Sequence, residues 1–281
     1  MNIYPRFLGE AGRRFFLTQF RAEAGPRAHV LFIPPFGEEM NRCRALVAEQ
    51  SRLLAQSGYH CTVLDFFGTG DSEGELAQAS LDIWYGNIEL ALNTLRREEP
   101  APVVLWGLRL GALIAAGFVG SHEPDCREML LWQPVTSGKR YINQLLRQRV
   151  ASLVNSGLPP ETTAEIRQRM QEGQRVEISG YFVSEPLVSE LEALSLAAAG
   201  GAGIDRIHWL ENIEQEGDTL STAGGKMVDK LKEQGVDVQV SLFRGPPLWQ
   251  LHKRDALPEL MQQTRSILVQ DSPRSLHALR F

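Results

Sequence analysis

The chain has 281 residues, 43% hydrophobic and 22% charged, which is ordinary for a soluble globular protein and ample for one large core. A formal net charge of −5 and a pI near 5.8 leave no basic excess to recommend a nucleic-acid partner. Three cysteines, Cys43, Cys61 and Cys126, have neither CxxC spacing nor an even count, so a reducing compartment is expected rather than a disulfide framework. The start Met1-Asn2-Ile3-Tyr4-Pro5-Arg6 lacks the basic stretch and apolar run of a secretion signal, and a cytoplasmic location is expected. The longest apolar-rich run, 110–119, is about half the ~20 residues that a bilayer span needs. No transmembrane segment is expected.

In chain order, 7–20 carries two short β-prone runs around Glu10-Ala11-Gly12 and reads as an opening antiparallel hairpin. Strands and helices then alternate. The run His29-Val30-Leu31-Phe32-Ile33 predicts a buried strand, 40–57 a helix, 60–67 a strand and 81–97 a helix with Ile83, Trp84, Ile88, Leu90, Ala91 and Leu95 on its apolar face. Strands follow at 102–106 and 127–132. This rhythm predicts an α/β fold, a mostly parallel sheet with helices on both faces. At Pro134 it breaks into helix-rich, polar sequence, with Leu158-Pro159-Pro160 marking a joint. The sheet resumes at 207–210, and a helix at 222–234, a strand at 236–243 and a helix at 256–268 complete it. The expected organisation is a core of 1–133 and 204–270, a helical lid of 134–203 and a polar tail of 271–281.

Two segments compete for the pattern G-x-S-x-G, the sharp strand-to-helix turn that presents a nucleophilic serine. Gly70-Asp71-Ser72-Glu73-Gly74 matches every letter, and Gly107-Leu108-Arg109-Leu110-Gly111 matches all but the serine. Context favours the second. Pro102-Val103-Val104-Leu105-Trp106 runs straight into Gly107, and small residues continue from Gly111 to Gly117 on a helix face, whereas Ser72 is surrounded by turn residues and polar sequence. Ser72 is therefore expected to serve a turn or cap. A dinucleotide-binding loop is excluded because Glu73 stands where G-x-G-x-x-G needs its last glycine, and no cofactor is expected. His29, His60 and His208 fall in or beside strands, and no spacing suggests a metal.

The arrangement resembles the α/β-hydrolase superfamily over nearly the whole chain to about residue 269. More narrowly, it is similar to the bacterial exosortase A system-associated hydrolase 2 proteins. The residues that carry this are Pro34-Pro35-Phe36-Gly37-Glu38-Glu39-Met40-Asn41, 65–74, Gly107-Leu108-Arg109-Leu110-Gly111, Trp132-Gln133-Pro134-Val135 and Gly245-Pro246-Pro247. The resemblance implies a hydrolase or acyl-transfer relative acting on an ester- or thioester-type substrate, beside exopolysaccharide production and exosortase protein sorting. It also implies an oxyanion hole built from the N–H of Leu110 and that of Phe36 or Gly37. Either these donors still converge on a ligand, or the turn is kept for packing.

Arginine cannot do a serine's chemistry, since the guanidinium stays protonated and has no lone pair with which to attack. Arg109 can instead present a planar fork to a carboxylate, phosphate or sulfate. Alternatively it pairs internally with Glu38, Glu39 or Asp218 and fills the old pocket. By resemblance the general base is sought after the strand at 236–243, where His252 is the candidate although Trp249 stands nearer the usual place. Asp218 is the candidate acid, with Glu211 and Glu214 behind it. In the lid, Lys139, Arg140, Tyr141, Arg147, Arg149, Arg167 and Arg169 either frame an anionic, acyl- or sugar-linked ligand together with Arg109 and Glu38, or pair with interspersed acids on helix surfaces. Tyr181 and Phe182 are expected to close the lid over the sheet. The expected partner is such a small molecule or an exopolysaccharide or exosortase-system protein. A binding module that has lost its chemistry is the competing expectation.

Overall fold

A computed structural model describes residues 1–178, 180–215, 217–250 and 257–270. The amino-terminal hairpin pairs β1 (Asn2–Leu8) with β2 (Phe15–Arg21), and β2 joins β4 (His60–Leu64) in antiparallel fashion. From β4 the sheet is parallel. It continues through β3 (His29–Ile33), β5 (Val103–Leu108), β6 (Glu128–Trp132), β9 (Arg206–Ile213) and β10 (Asp237–Arg244), giving the order β1-β2-β4-β3-β5-β6-β9-β10. The central strands β3 and β5 are buried at every position, which is why they read as unbroken apolar runs instead of alternating ones.

Helices cover both faces. On one side α2 (Leu81–Glu98), α3 (Leu110–His122) and α7 (Thr222–Glu233) pack through Trp84, Ile88, Leu113, Ile114, Val228 and Leu231. On the other, α1 (Glu38–Gln56) and α8 (Pro258–Gln270) pack through Leu46, Val47, Leu54, Leu260 and Leu268 onto Trp106 and Trp132, whose rings meet edge to face. Burial of each such side chain contributes roughly 1.5–3 kcal/mol. Trp132 also donates Nε1–H to Thr264 Oγ1 at 3.0 Å, tying α8 to the sheet. This is the α/β-hydrolase arrangement that the motifs resemble. All three cysteines are buried free thiols.

Between β6 and β9 the chain leaves the sheet as α4 (Gly138–Asn155), α5 (Thr163–Gln171), α6 (Glu185–Ala193) and a hairpin of β7 (Val176–Ile178) and β8 (Tyr181–Val183). The hairpin was not expected, because three residues per strand are too few to show a period of two. Close packing fixes α4 to α6: a Cβ on Gly138 would sit 1.7 Å from the Leu191 carbonyl oxygen. Some of the charges of this segment pair within it, and Arg175 reaches Glu75 of the core. Arg149 and Arg169 share Glu161, and Arg167 binds Glu192.

The strand order reverses between β3 and β5, one neighbour leading to β4 and the other to β6. In parallel α/β sheets, the carboxyl ends of the strands at such a reversal open a crevice for ligands. The loops after β3 and β5 lie there.

Candidate functional site

Arg109 occupies the turn between β5 and α3 with φ 53° and ψ −117°. Side chains seldom adopt that region, at a cost of about 1–3 kcal/mol, so the surroundings must enforce it. They do so at close range. A Cβ on Gly107 would lie 2.6 Å from Ala112 Cα, and one on Gly111 would lie 2.2 Å from the Ile33 carbonyl oxygen. The Arg109 N–H donates to the Trp132 carbonyl at 3.1 Å, and its own carbonyl accepts from Ala112 N–H at 3.1 Å. Gly37, in the loop after β3, has nearly the same backbone, φ 58° and ψ −131°, and starts α1. Leu110 opens α3, so its N–H has no carbonyl one turn back within that helix.

The Arg109 side chain is only 9% exposed. Its Nη2 donates to Glu39 Oε1 at 3.4 Å, its guanidinium lies 4.0 Å from the centre of the Trp249 ring, and the Tyr141 ring is 5.8 Å away. Tyr141 donates its hydroxyl proton to Glu39 Oε2 at 3.0 Å, which completes a buried cluster. Burial pushes the Glu39 carboxyl above its ordinary range, with Arg109 and the Tyr141 hydrogen bond pulling back. Burial and the neighbouring Glu39 charge likewise hold the Tyr141 hydroxyl well above its usual value. On the other side of Arg109, Glu211 accepts Trp209 Nε1–H at 2.9 Å, and burial raises its pKa too.

Trp249 is held from behind. Gln133, at φ 43° directly after β6, is 1% exposed; its amide binds Asn212 Oδ1, and its Oε1 accepts Leu248 N–H at 2.9 Å. Asn212 Nδ2 then donates to the Gly245 carbonyl at 3.2 Å. This buried network spans β6, β9 and the loop after β10, and so fixes the ring that lies over Arg109.

Of the expected site residues, Arg109, Leu110, Phe36 and Gly37 are brought to the crevice. Phe36 packs on Trp84, and Tyr181 from β8 lies against Gly37, where a Cβ would be 3.5 Å from its ring. Glu38 lines the same cleft, paired with Arg42 and accepting from Asn41, but Glu39 is the acid that reaches Arg109. Asp218 is exposed, its carboxylate accepting N–H bonds from Glu214 and Gln215, so it caps the turn after β9 while Glu211 lines the cavity beside Arg109. His252 lies outside the described residues. Phe182 is half exposed and, contrary to expectation, does not close over the sheet. Ser72 is a turn residue: its hydroxyl donates to the Asp65 carbonyl at 2.6 Å and accepts Phe16 N–H at 2.8 Å. Asn212 was missed, and Gln133 stood within an expected motif without a role assigned to it, since a positive φ at glutamine leaves no mark in a sequence.

Two cavities flank the cluster, one of about 330 Å³ lined in part by Phe36, Leu145, Ile178 and Trp249, the other of about 190 Å³ lined in part by Arg109, Ser137, Arg140, Gln144 and Glu211.

The model of the family described as serine aminopeptidase, S33, matches residues 24–189, more than half of the chain. No curated protein sequence matches it. Among solved structures, a thermostable carboxyl esterase from Bacillus coagulans in complex with glycerol superposes with a TM-score of 0.65 at 14% identity, covering 95% of this chain and 98% of that one. Est1E from Butyrivibrio proteoclasticus with bound ferulic acid gives 0.65 at 10%, covering 94% and 98%. Mouse alpha/beta hydrolase domain-containing protein 10 gives 0.58 at 17%, covering 95% and 99%. These likenesses extend over the whole fold and, at such identities, speak for the fold alone. By the family match and the architecture together, the chain belongs to the serine aminopeptidase S33 family of α/β-hydrolase-fold proteins.

Proposed function

We propose that this chain is a hydrolase relative that takes an ester- or thioester-type substrate, or its anionic acyl- or sugar-linked fragment, into the cleft beside Arg109 without forming an acyl-enzyme. The observation that carries this reading is the guanidinium at the strand-to-helix turn, buried, ion-paired with Glu39 and stacked on Trp249. A group that stays protonated and lacks a lone pair forms no acyl bond. Direct attack by water needs only a base. Glu211 suits that role, since it lines the cavity and its raised pKa makes it a stronger base than an exposed carboxylate. Such assistance is worth about 10² to 10⁴ in rate, so turnover is slow.

A binding module without turnover is the second reading, favoured by the Glu39 pair that already occupies Arg109. In either case 134–203 acts as a lid on the core of 1–133 and 204–270. The resemblance to the bacterial exosortase A system-associated hydrolases supports a role beside exopolysaccharide production and exosortase sorting, and the sequence of the first residues supports a cytoplasmic setting.

Stopped-flow hydrolysis of p-nitrophenyl butyrate, with butyryl-coenzyme A as the thioester, tests the proposal. Slow linear product release is expected, with KM at least about tenfold higher in Arg109→Ala. A product burst equal to the protein concentration overturns it, and an unchanged KM removes Arg109 from the substrate site.

A further inference from the structure

The two cavities beside Arg109 meet at the buried cluster. Glu39 and Trp249 line the larger, Arg109 and Tyr141 the smaller, and the Glu39–Arg109 pair with the Tyr141 hydrogen bond stands between them. The ion pair is long, at 3.4 Å, and Arg109 Nε is buried without a hydrogen-bond partner among the described residues. A bidentate carboxylate would engage both nitrogens of the fork. Glu39 engages one. It comes from the first turn of α1, where Gly37 sets the chain direction, and its second oxygen is committed to Tyr141.

We infer that Glu39 is a displaceable internal ligand, holding on Arg109 the place of the carboxylate of an elongated acyl chain, and that the chain's entry is accompanied by protonation of Glu39. This rests on the non-covalent reading above and names its ligand class. The carboxylate of the ligand takes the Arg109 fork, and its hydrocarbon lies along the apolar side of the larger cavity, formed by Phe36, Leu145, Ile178 and Trp249, while Glu38, Arg42, Gln148 and Gln250 line the rest of it. Two ionised carboxylates on one buried guanidinium would leave an unpaired negative charge out of water, which is strongly unfavourable. A proton from solvent on Glu39 removes that charge, and Glu39 can then keep Tyr141 as its partner. Burial already biases this carboxyl toward its protonated form.

Among the described residues, the charged or titratable groups facing Glu39 are Arg109 from the β5–α3 turn, Tyr141 from α4, and Arg42 and Cys43 from its own helix. Cys43 is pushed up to about 12 by burial and stays a thiol, and Arg42 is shared with Glu38. Glu211 acts on Arg109 from the far side. Glu39 is therefore the member of this set placed to take up the proton.

Calorimetric titration of the full chain with octanoate tests the inference, in two buffers of different ionisation enthalpy at about pH 6 and pH 7.5. Wild type is expected to take up about one proton per octanoate, with affinity rising toward tenfold per unit fall in pH. Glu39→Gln is expected to bind more tightly than wild type at pH 7.5 with no proton uptake, and Arg109→Met to lose binding in a folded protein. Octanoate binding without proton uptake in wild type, or equal pH dependence in Glu39→Gln, overturns the displacement while leaving the non-covalent reading intact. Failure of both wild type and Glu39→Gln to bind octanoate overturns the ligand class, and the burst experiment still decides the broader reading on its own.

Discussion

At the scale of single residues, the turn at 107–111 is held by contacts that admit no further atoms. Gly111→Ala would push a methyl to 2.2 Å from the carbonyl oxygen of Ile33, which ends β3, and 2.6 Å from that of Pro34 just after it, both backbone atoms that cannot step aside. The substitution is expected to cost at least about 2 kcal/mol, read as a lower urea midpoint. Gly225→Ala is the control: it lies within α7 with nothing inside 4 Å of the new methyl, and it should stabilise by about 0.5–1 kcal/mol. A larger loss in Gly225→Ala than in Gly111→Ala would refute the packing account of the turn. The glycine frame around Arg109 was legible in the sequence because it is local. Which acid meets Arg109 was not. Glu38 and Glu39 are adjacent, a helix turns about 100° between them, and with α1 starting after Gly37 it is Glu39 that points at the guanidinium.

At the scale of elements, the loop after β10 is positioned by β6 and β9 through Gln133 and Asn212. Gln133→Ala leaves Leu248 N–H and the Asn212 side chain without this partner in a buried place, at an expected cost of about 1–3 kcal/mol. Because the same network sets Trp249 over Arg109, the variant should also weaken octanoate binding. Asn212 and Gly245 are joined only by folding, and this long-range dependence is why the network was invisible in the chain order. The parallel strands were readable from their apolar runs. The β7–β8 hairpin was not, and it matters, since it brings Tyr181 against Gly37 and its hydroxyl to Asn41 at 2.6 Å.

At the scale of the whole molecule, the sheet carries its ligand crevice at one end and a pair of buried histidines at the other. His29 and His60 start the adjacent strands β3 and β4 with ring centres 5.7 Å apart, and desolvation lowers both below the ordinary value of 6.5. Glu99 pulls both back up, less strongly than burial pushes them down. A histidine whose folded pKa is depressed binds fewer protons in the folded state than in the unfolded one. Its stabilising contribution is present above 6.5 and is lost as pH falls through the folded value. The wild-type urea midpoint should therefore fall between about pH 7 and pH 5. His29→Asn should flatten that fall, and an unchanged slope would show that these rings do not set it. Glu39 and Glu211 act in the opposite sense, since their raised values favour the fold at lower pH. The α/β class and the sheet's direction were legible from alternation alone. The pairing of two distant histidines with the end of α2 was not, because neighbouring strands in the sheet are distant in the sequence.

The most direct test of the central claim, a hydrolase fold working without an acyl-enzyme, is intact-mass spectrometry of the folded chain after incubation with a serine-reactive fluorophosphonate. No stoichiometric mass increase is predicted, because Arg109 stands at the turn and Ser72 is bound into its own loop. One adduct per chain on any serine, Ser137 and Ser221 of the cavity included, would contradict the claim and restore a covalent mechanism.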